Sequence, residues 1–184
     1  MTSNEEIVAQ FTKMAGAFAS APPIVDGQAL DLLLEQTGAS SSDDSLDVAC
    51  GAGVVTCHFA SVVNSATGID ITPAMIERAK SLQTRRGLNN ARWDLGDVTQ
   101  LPYTEGSFSI VTCRYAFHHM PNPAIQDSLM RHFRSMQANA DLANICVEWY
   151  RPPPKKVPSF IEIANQHGSQ SRASHSPVRV TGAW

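Results

Sequence analysis

The stretch LDVACGAGVVT, Leu46 to Thr56, limits what this chain can fold into more than any other. A short apolar run carrying Asp47 meets a turn containing Gly51 and Gly53, and a second apolar run follows at once. The layout predicts a buried strand, a glycine turn and the start of a helix.

The flanking segments supply neighbours for that strand. Residues 5–19 place Ile7, Phe11, Met14 and Phe18 on one helical face, and GQALDLLLEQTG repeats the pattern with Gly38 as its stop. Further strands are predicted at SATGIDI, ARWDLGD and FSIVTC. Between the first two of these lies a helix with Thr72 at its N-cap, Pro73 at its first position and Gly87 at its end. Later, Ile125, Leu129, Phe133 and Met136 share a helical face, and LANICVEWY reads as a fifth strand. Strands alternating with helices of this length imply an α/β fold: a Rossmann-like, doubly wound, mainly parallel sheet, truncated after its fifth strand.

Composition narrows the function. With 184 residues, 43% hydrophobic and 17% charged, the chain has the make-up of one globular domain. A net charge of -3 argues against binding a nucleic-acid backbone, which needs a basic surface. No apolar run reaches the roughly 20 residues of a membrane span. The polar, acidic opening MTSNEEIVAQFTK lacks a signal-peptide layout, so a cytoplasmic location is expected. Cys50, Cys57, Cys113 and Cys146 form no CxxC pair, and no metal site is expected.

A glycine turn at a strand end suits two nucleoside-bearing cofactors, a nicotinamide dinucleotide and S-adenosylmethionine. The dinucleotide fingerprint needs a third glycine for close packing of helix on strand, and Thr56 stands in its place. Asp70, closing the strand TGID, can accept hydrogen bonds from ribose hydroxyls of either cofactor. A plain helix-capping aspartate is the rival reading. Asp97, in LGDVTQLPY just past the third strand, decides between them. Its carboxylate can accept from an adenine amino group, while Val98 offers a backbone amide and an apolar contact.

Taken together, LDVACGAG, TGIDITPAMIERAK and GDVTQLPYTEGSFSIVTCRYAFHHMPNP resemble the class I S-adenosylmethionine-dependent methyltransferases. The likeness is to the small-molecule group that includes the ubiquinone/menaquinone-biosynthesis enzymes. The resemblance implies that Asp47, Gly51 and Gly53 hold the methionine portion of the cofactor. It implies Asp70 for the ribose, Ile71 packed on the adenine, and Asp97 with Val98 for the adenine edge. Arg114 and the stretch Tyr115–His119 would reach the sulfonium and the substrate, and the leading helix would cover the cofactor through Phe11 and Lys13. Ala49 stands where the family has its first glycine, and a slight loss of room is expected there.

The activity so implied is methyl transfer to a small-molecule acceptor; the alternative is a non-catalytic, truncated binding protein or partner subunit. His118 is the candidate general base, because an unperturbed imidazole titrates near pH 6.5 and the residue follows the fourth strand. Adjacent residues leaving a strand face opposite ways, so His119 is expected to pack on the next helix. Arg114 either neutralises a carboxylate of cofactor or substrate, or is a surface arginine.

The ending departs from the family pattern. RSMQANADLANICVEWY has no Pro-Gly-Gly turn, and the chain stops before the antiparallel strands that would finish the sheet. Residues 1–150 are therefore expected to form a cofactor-binding domain incomplete at its C-terminal edge. Residues 151–184 read as a Pro- and Ser-rich irregular tail. Either the fifth strand is an edge covered by the tail or by the second subunit of a homodimer, or a frameshift after about Pro123 has replaced the ending.

Overall fold

The structure, a computed structural model, describes residues 4–104 and 106–116, and the backbone of Asn144–Glu148. Helices α1 (Asn4–Ala19), α2 (Pro22–Val25) and α3 (Gly27–Thr37) precede strand β1 (Asp44–Val48). Helix α4 (Val54–Phe59), strand β2 (Ser65–Asp70), helix α5 (Pro73–Arg86) and strands β3 (Ala91–Leu95), β4 (Ile110–Arg114) and β5 (Asn144–Glu148) follow. The five strands run in the order β3-β2-β1-β4-β5, and every pair is parallel. This is the expected doubly wound sheet, with β5 at one edge of the described strands.

Local chemistry accounts for most boundaries. Asp26 accepts from the Gln28 and Ala29 amides and so caps α3, while Gly38 at φ 65 ends it in the left-handed conformation. Gly87, also at φ 65, ends α5 in the same way. Pro73 opens α5 as expected, but the Thr72 side chain makes no cap hydrogen bond there. Asp70 takes the Thr72 amide instead, at 2.8 Å. Sequence patterning missed α2, a single turn too short to show periodicity.

Successive residues of β1 and β2 are buried alike, and the described helices pack against the sheet in two apolar clusters. Leu30, Leu33, Val54, Val55 and Phe59 pack with Ala66 and Ile110 into one cluster. A second joins Ala15, Ala52 and Met75 to Phe11 and Phe18 of the leading helix. Strands β1 and β2 are buried from their second residue onward, whereas edge strand β3 leaves Leu95 60% exposed. Two glycines are demanded by Trp93 of β3. A Cβ on Gly53 would lie 2.5 Å from the indole and 2.7 Å from Ala79; one on Gly68 would lie 2.8 Å from the indole. Trp93 keeps its place by donating its indole N–H to Gln83 at 2.6 Å.

Candidate functional site

Because every described strand is parallel, all their C-terminal ends meet one edge of the sheet, where ligands of open α/β sheets bind. A cavity of about 210 Å³ lies there. Asp47 and Asp70 line it from the ends of β1 and β2, and Asp97 from just past β3. The sequence placed these carboxylates at three successive strand ends, and the structure brings them around one space.

Each carboxylate is held differently. Asp47, buried on the central strand, accepts from the Thr56 hydroxyl at 2.8 Å and the Thr112 hydroxyl at 3.0 Å. Burial pushes its pKa up to about 6, against those two hydroxyls and the positive charge of Arg114. Thr56 is thus more than the absence of a glycine: it reaches across from α4 to fix the aspartate of β1. A buried Asp needs donors, and that need is the signal by which Thr56 and Thr112 could have been sought.

Asp70 accepts from the Gly51 amide at 2.9 Å and the Thr72 amide at 2.8 Å. Burial raises its pKa, and the two amides oppose the rise. The carboxylate is thereby fixed between the glycine turn and the start of α5, with acceptor capacity left over for a further donor. It also answers the rival reading, since Asp70 serves the local turn and faces the cavity at once.

Asp97 accepts from the Thr99 amide and hydroxyl, both at 2.8 Å, and from the side-chain amide of Asn4 at 2.7 Å. Partial burial would raise its pKa, but these hydrogen bonds outweigh it and hold the carboxyl below its usual value. Asn4, which sequence reading overlooked, also lines the cavity.

The glycine turn divides its labour. Gly51, at φ 53, lines the cavity. Gly53 does not: its amide bonds to the Cys50 carbonyl at 3.0 Å, and its lack of a side chain serves Trp93. Ala49 sits at φ 56, a conformation that costs an alanine where glycine is free. Ala49 lines the cavity, and the structure adds backbone strain to the expected loss of room.

Ile71 and Val98 line the walls, and so does Phe11, set edge-on to Phe18 at 5.8 Å. Lys13 is exposed and does not line the cavity; the leading helix covers the space with Asn4, Ile7, Phe11 and Phe18. Arg114 is 9% exposed, which excludes the surface reading. It donates to the carbonyls of Ile24 at 2.9 Å and Pro23 at 2.8 Å, and its guanidinium lies 4.7 Å from the Tyr115 ring centre. The arginine thus fastens α2 over the end of β4 while lining the cavity. Tyr115 holds a left-handed φ of 55, uncommon for an aromatic residue and concentrated at functional sites when it occurs. Cys50 also lines the cavity, but burial and the nearby Asp47 and Asp70 push its thiol up, so it is no nucleophile. His118, His119, the helix expected after Pro123 and the tail from 151 lie outside the described residues.

Fold and site together define an α/β domain with a nucleoside-type crevice at the C-terminal edge of a parallel sheet. The chain belongs to the methyltransferase domain family, whose model matches residues 46–139. A second family, of proteins of unknown function (DUF2026), matches residues 103–184. The uncharacterized methyltransferase YcgJ of Bacillus subtilis is 26% identical over 91% of this chain and 65% of its own length. The 2-phytyl-1,4-naphtoquinone methyltransferase of a Nostoc strain is 27% identical over 71% of this chain and 57% of its own. Among solved structures, YcgJ gives a TM-score of 0.55 at 30% identity over 60% of this chain and 46% of that one. An S-adenosylmethionine-dependent methyltransferase of Aquifex aeolicus gives 0.67 at 17% identity over 86% of each chain, a likeness of fold. This chain spans 57% to 65% of the length of the two curated relatives named.

Proposed function

We propose that the cavity holds S-adenosylmethionine and that the chain transfers its methyl group to a small-molecule acceptor. The observation that carries the reading is the row of three carboxylates, Asp47, Asp70 and Asp97, around one cavity at the sheet's C-terminal edge. The donor set fits the cofactor. Asp70, oriented by Gly51 and Thr72, would take the ribose hydroxyls; Ile71 and Val98 would flank the adenine, and Asp97 would accept from its amino group. Asp47 and Gly51 would face the methionine portion. Gly53 would contribute by letting the turn close on Trp93, and Arg114 by holding α2 over the crevice.

The bound cofactor supplies a methyl group already activated on a sulfonium, so the protein's work is alignment and exclusion of water. Phe11, Phe18 and Ile7 close the space with apolar surface. His118, two residues beyond the cavity-lining Ala116 in sequence, is our candidate for removing a proton from the acceptor. Residues 1–150 would form the cofactor-binding domain and 151–184 a tail outside it, in a cytoplasmic protein, whether single or a homodimer.

Titration calorimetry with S-adenosylhomocysteine and with NAD tests the cofactor. Binding of S-adenosylhomocysteine alone is expected, and Asp70→Ala should weaken it by about 1.5–3 kcal/mol as charge-assisted hydrogen bonds are lost. Binding of NAD alone would overturn the reading. Methyl transfer to a panel of quinols, phenols and amines then separates an enzyme from a binding protein, and His118→Ala should lower kcat by roughly 10²–10⁴.

A further inference from the structure

We propose that Asn4 competes with the ligand's exocyclic amine for Asp97, so that the first turn of α1 must release the carboxylate before the amine is bound. The inference rests on the cofactor reading above. Asp97 Oδ1 receives both the amide and the hydroxyl of Thr99, each at 2.8 Å, and these two bonds build the turn after β3. Oδ2 receives the Asn4 Nδ2 at 2.7 Å. Both acceptor sites of Oδ1 are therefore filled, and a further donor must come to Oδ2, where Asn4 already sits. Only the Asn4 donor comes from another element, so it alone leaves without undoing the turn.

The chemistry of the contact is the reason to see competition in it. The asparagine side chain presents a planar NH2 group on an sp2 carbon, and the 6-amino group of a purine presents the same donor. Asn4, Asp97 and Val98 line one region of the cavity, so the two NH2 groups would meet the same oxygen from the same space. Asn4 is exposed at the first position of α1, and Ile7 and Phe11 of that helix also line the cavity. Loss of the Asn4 bond thus couples arrival of a purine amine to freedom of the covering helix. A ligand that must displace an internal donor binds more weakly by the fraction of time the donor is away.

The test is a two-by-two comparison. Binding of S-adenosylhomocysteine, and of its analogue carrying unsubstituted purine in place of adenine, is measured by calorimetry on the full chain and on Asn4→Ala. The variant is expected to bind S-adenosylhomocysteine about threefold to tenfold more tightly, with a faster association rate, and the analogue with unchanged affinity. Tightening of both ligands by the same factor would make Asn4 a general cover and sink the competition. Unchanged or weaker binding of S-adenosylhomocysteine by the variant would also overturn it. Failure of S-adenosylhomocysteine to bind either protein would remove the cofactor reading itself and the inference with it, an outcome distinct from the other two.

Discussion

Asp47 and Ala49, two residues apart on the way into the glycine turn, each hold a conformation or charge state that the fold imposes. Ionising Asp47 in its buried position costs stability, because its folded pKa is raised from 3.8 to about 6. The sign follows: a group raised in the folded state stabilises fully below its unfolded pKa and loses that contribution as pH rises through the folded value. Denaturation of the chain and of Asp47→Asn across pH should therefore show their stability difference shifting by about 3 kcal/mol in the variant's favour as pH rises from about 3 to about 7. It should stay level above that. A difference independent of pH would mean Asp47 is not the buried acid described. Ala49 at φ 56 is strained by about 1–2 kcal/mol, and glycine there would relieve it at an unfolded-state entropy cost of about 0.4–1 kcal/mol. Ala49→Gly should accordingly be neutral to stabilising by about 1 kcal/mol in urea titration, whereas an alanine in an ordinary turn conformation would lose stability on the same change.

Between elements, the contact that matters most for the site is that of Arg114 with α2. One guanidinium at the end of β4 satisfies the Pro23 and Ile24 carbonyls and lies over Tyr115. A turn of four residues has little stability of its own, so its position depends on that anchor. Removing the anchor by Arg114→Ala leaves two carbonyls to find other donors and should cost about 1–3 kcal/mol. Amide exchange of Ile24 and Val25, both bonded to the Ala21 carbonyl, should speed up well beyond that of β1 and β2. Uniform loss of protection across the sheet would instead mark Arg114 as a core residue with no special hold on α2. The edge strand β3 contributes in another way, by carrying the Trp93 side chain against which Gly53 and Gly68 close.

For the whole molecule, ligand binding and folding are linked through the cavity, since its lining comes from α1, the glycine turn and the ends of β2 and β4. S-adenosylhomocysteine at a hundred times its Kd should add about 2.7 kcal/mol, which for a chain of this length raises Tm by roughly 5–10 °C. A Tm indifferent to the ligand, measured beside NAD as a control, would count against the cavity as the cofactor site. Much of this architecture was legible in the residues themselves. Apolar periodicity located α1 and α3, the boundary residues Thr72, Pro73 and Gly87 located α5, short apolar runs marked the strands, and the order of strands and helices implied a parallel sheet. In such a sheet all strand ends of one kind share an edge, so Asp47, Asp70 and Asp97 could be assigned to one crevice from their places in the chain alone. What periodicity and local turn chemistry do not encode is which distant side chain completes a hydrogen bond. Asn4 meets Asp97 across 93 residues, and Arg114 meets Ile24 across 90. Nor does sequence spacing show that Trp93 claims the space at Gly53, or that the backbone at Ala49 turns left-handed. Those outcomes arise only when the packed elements fix which groups are buried together, because a buried donor or acceptor must then bond to whatever lies within reach.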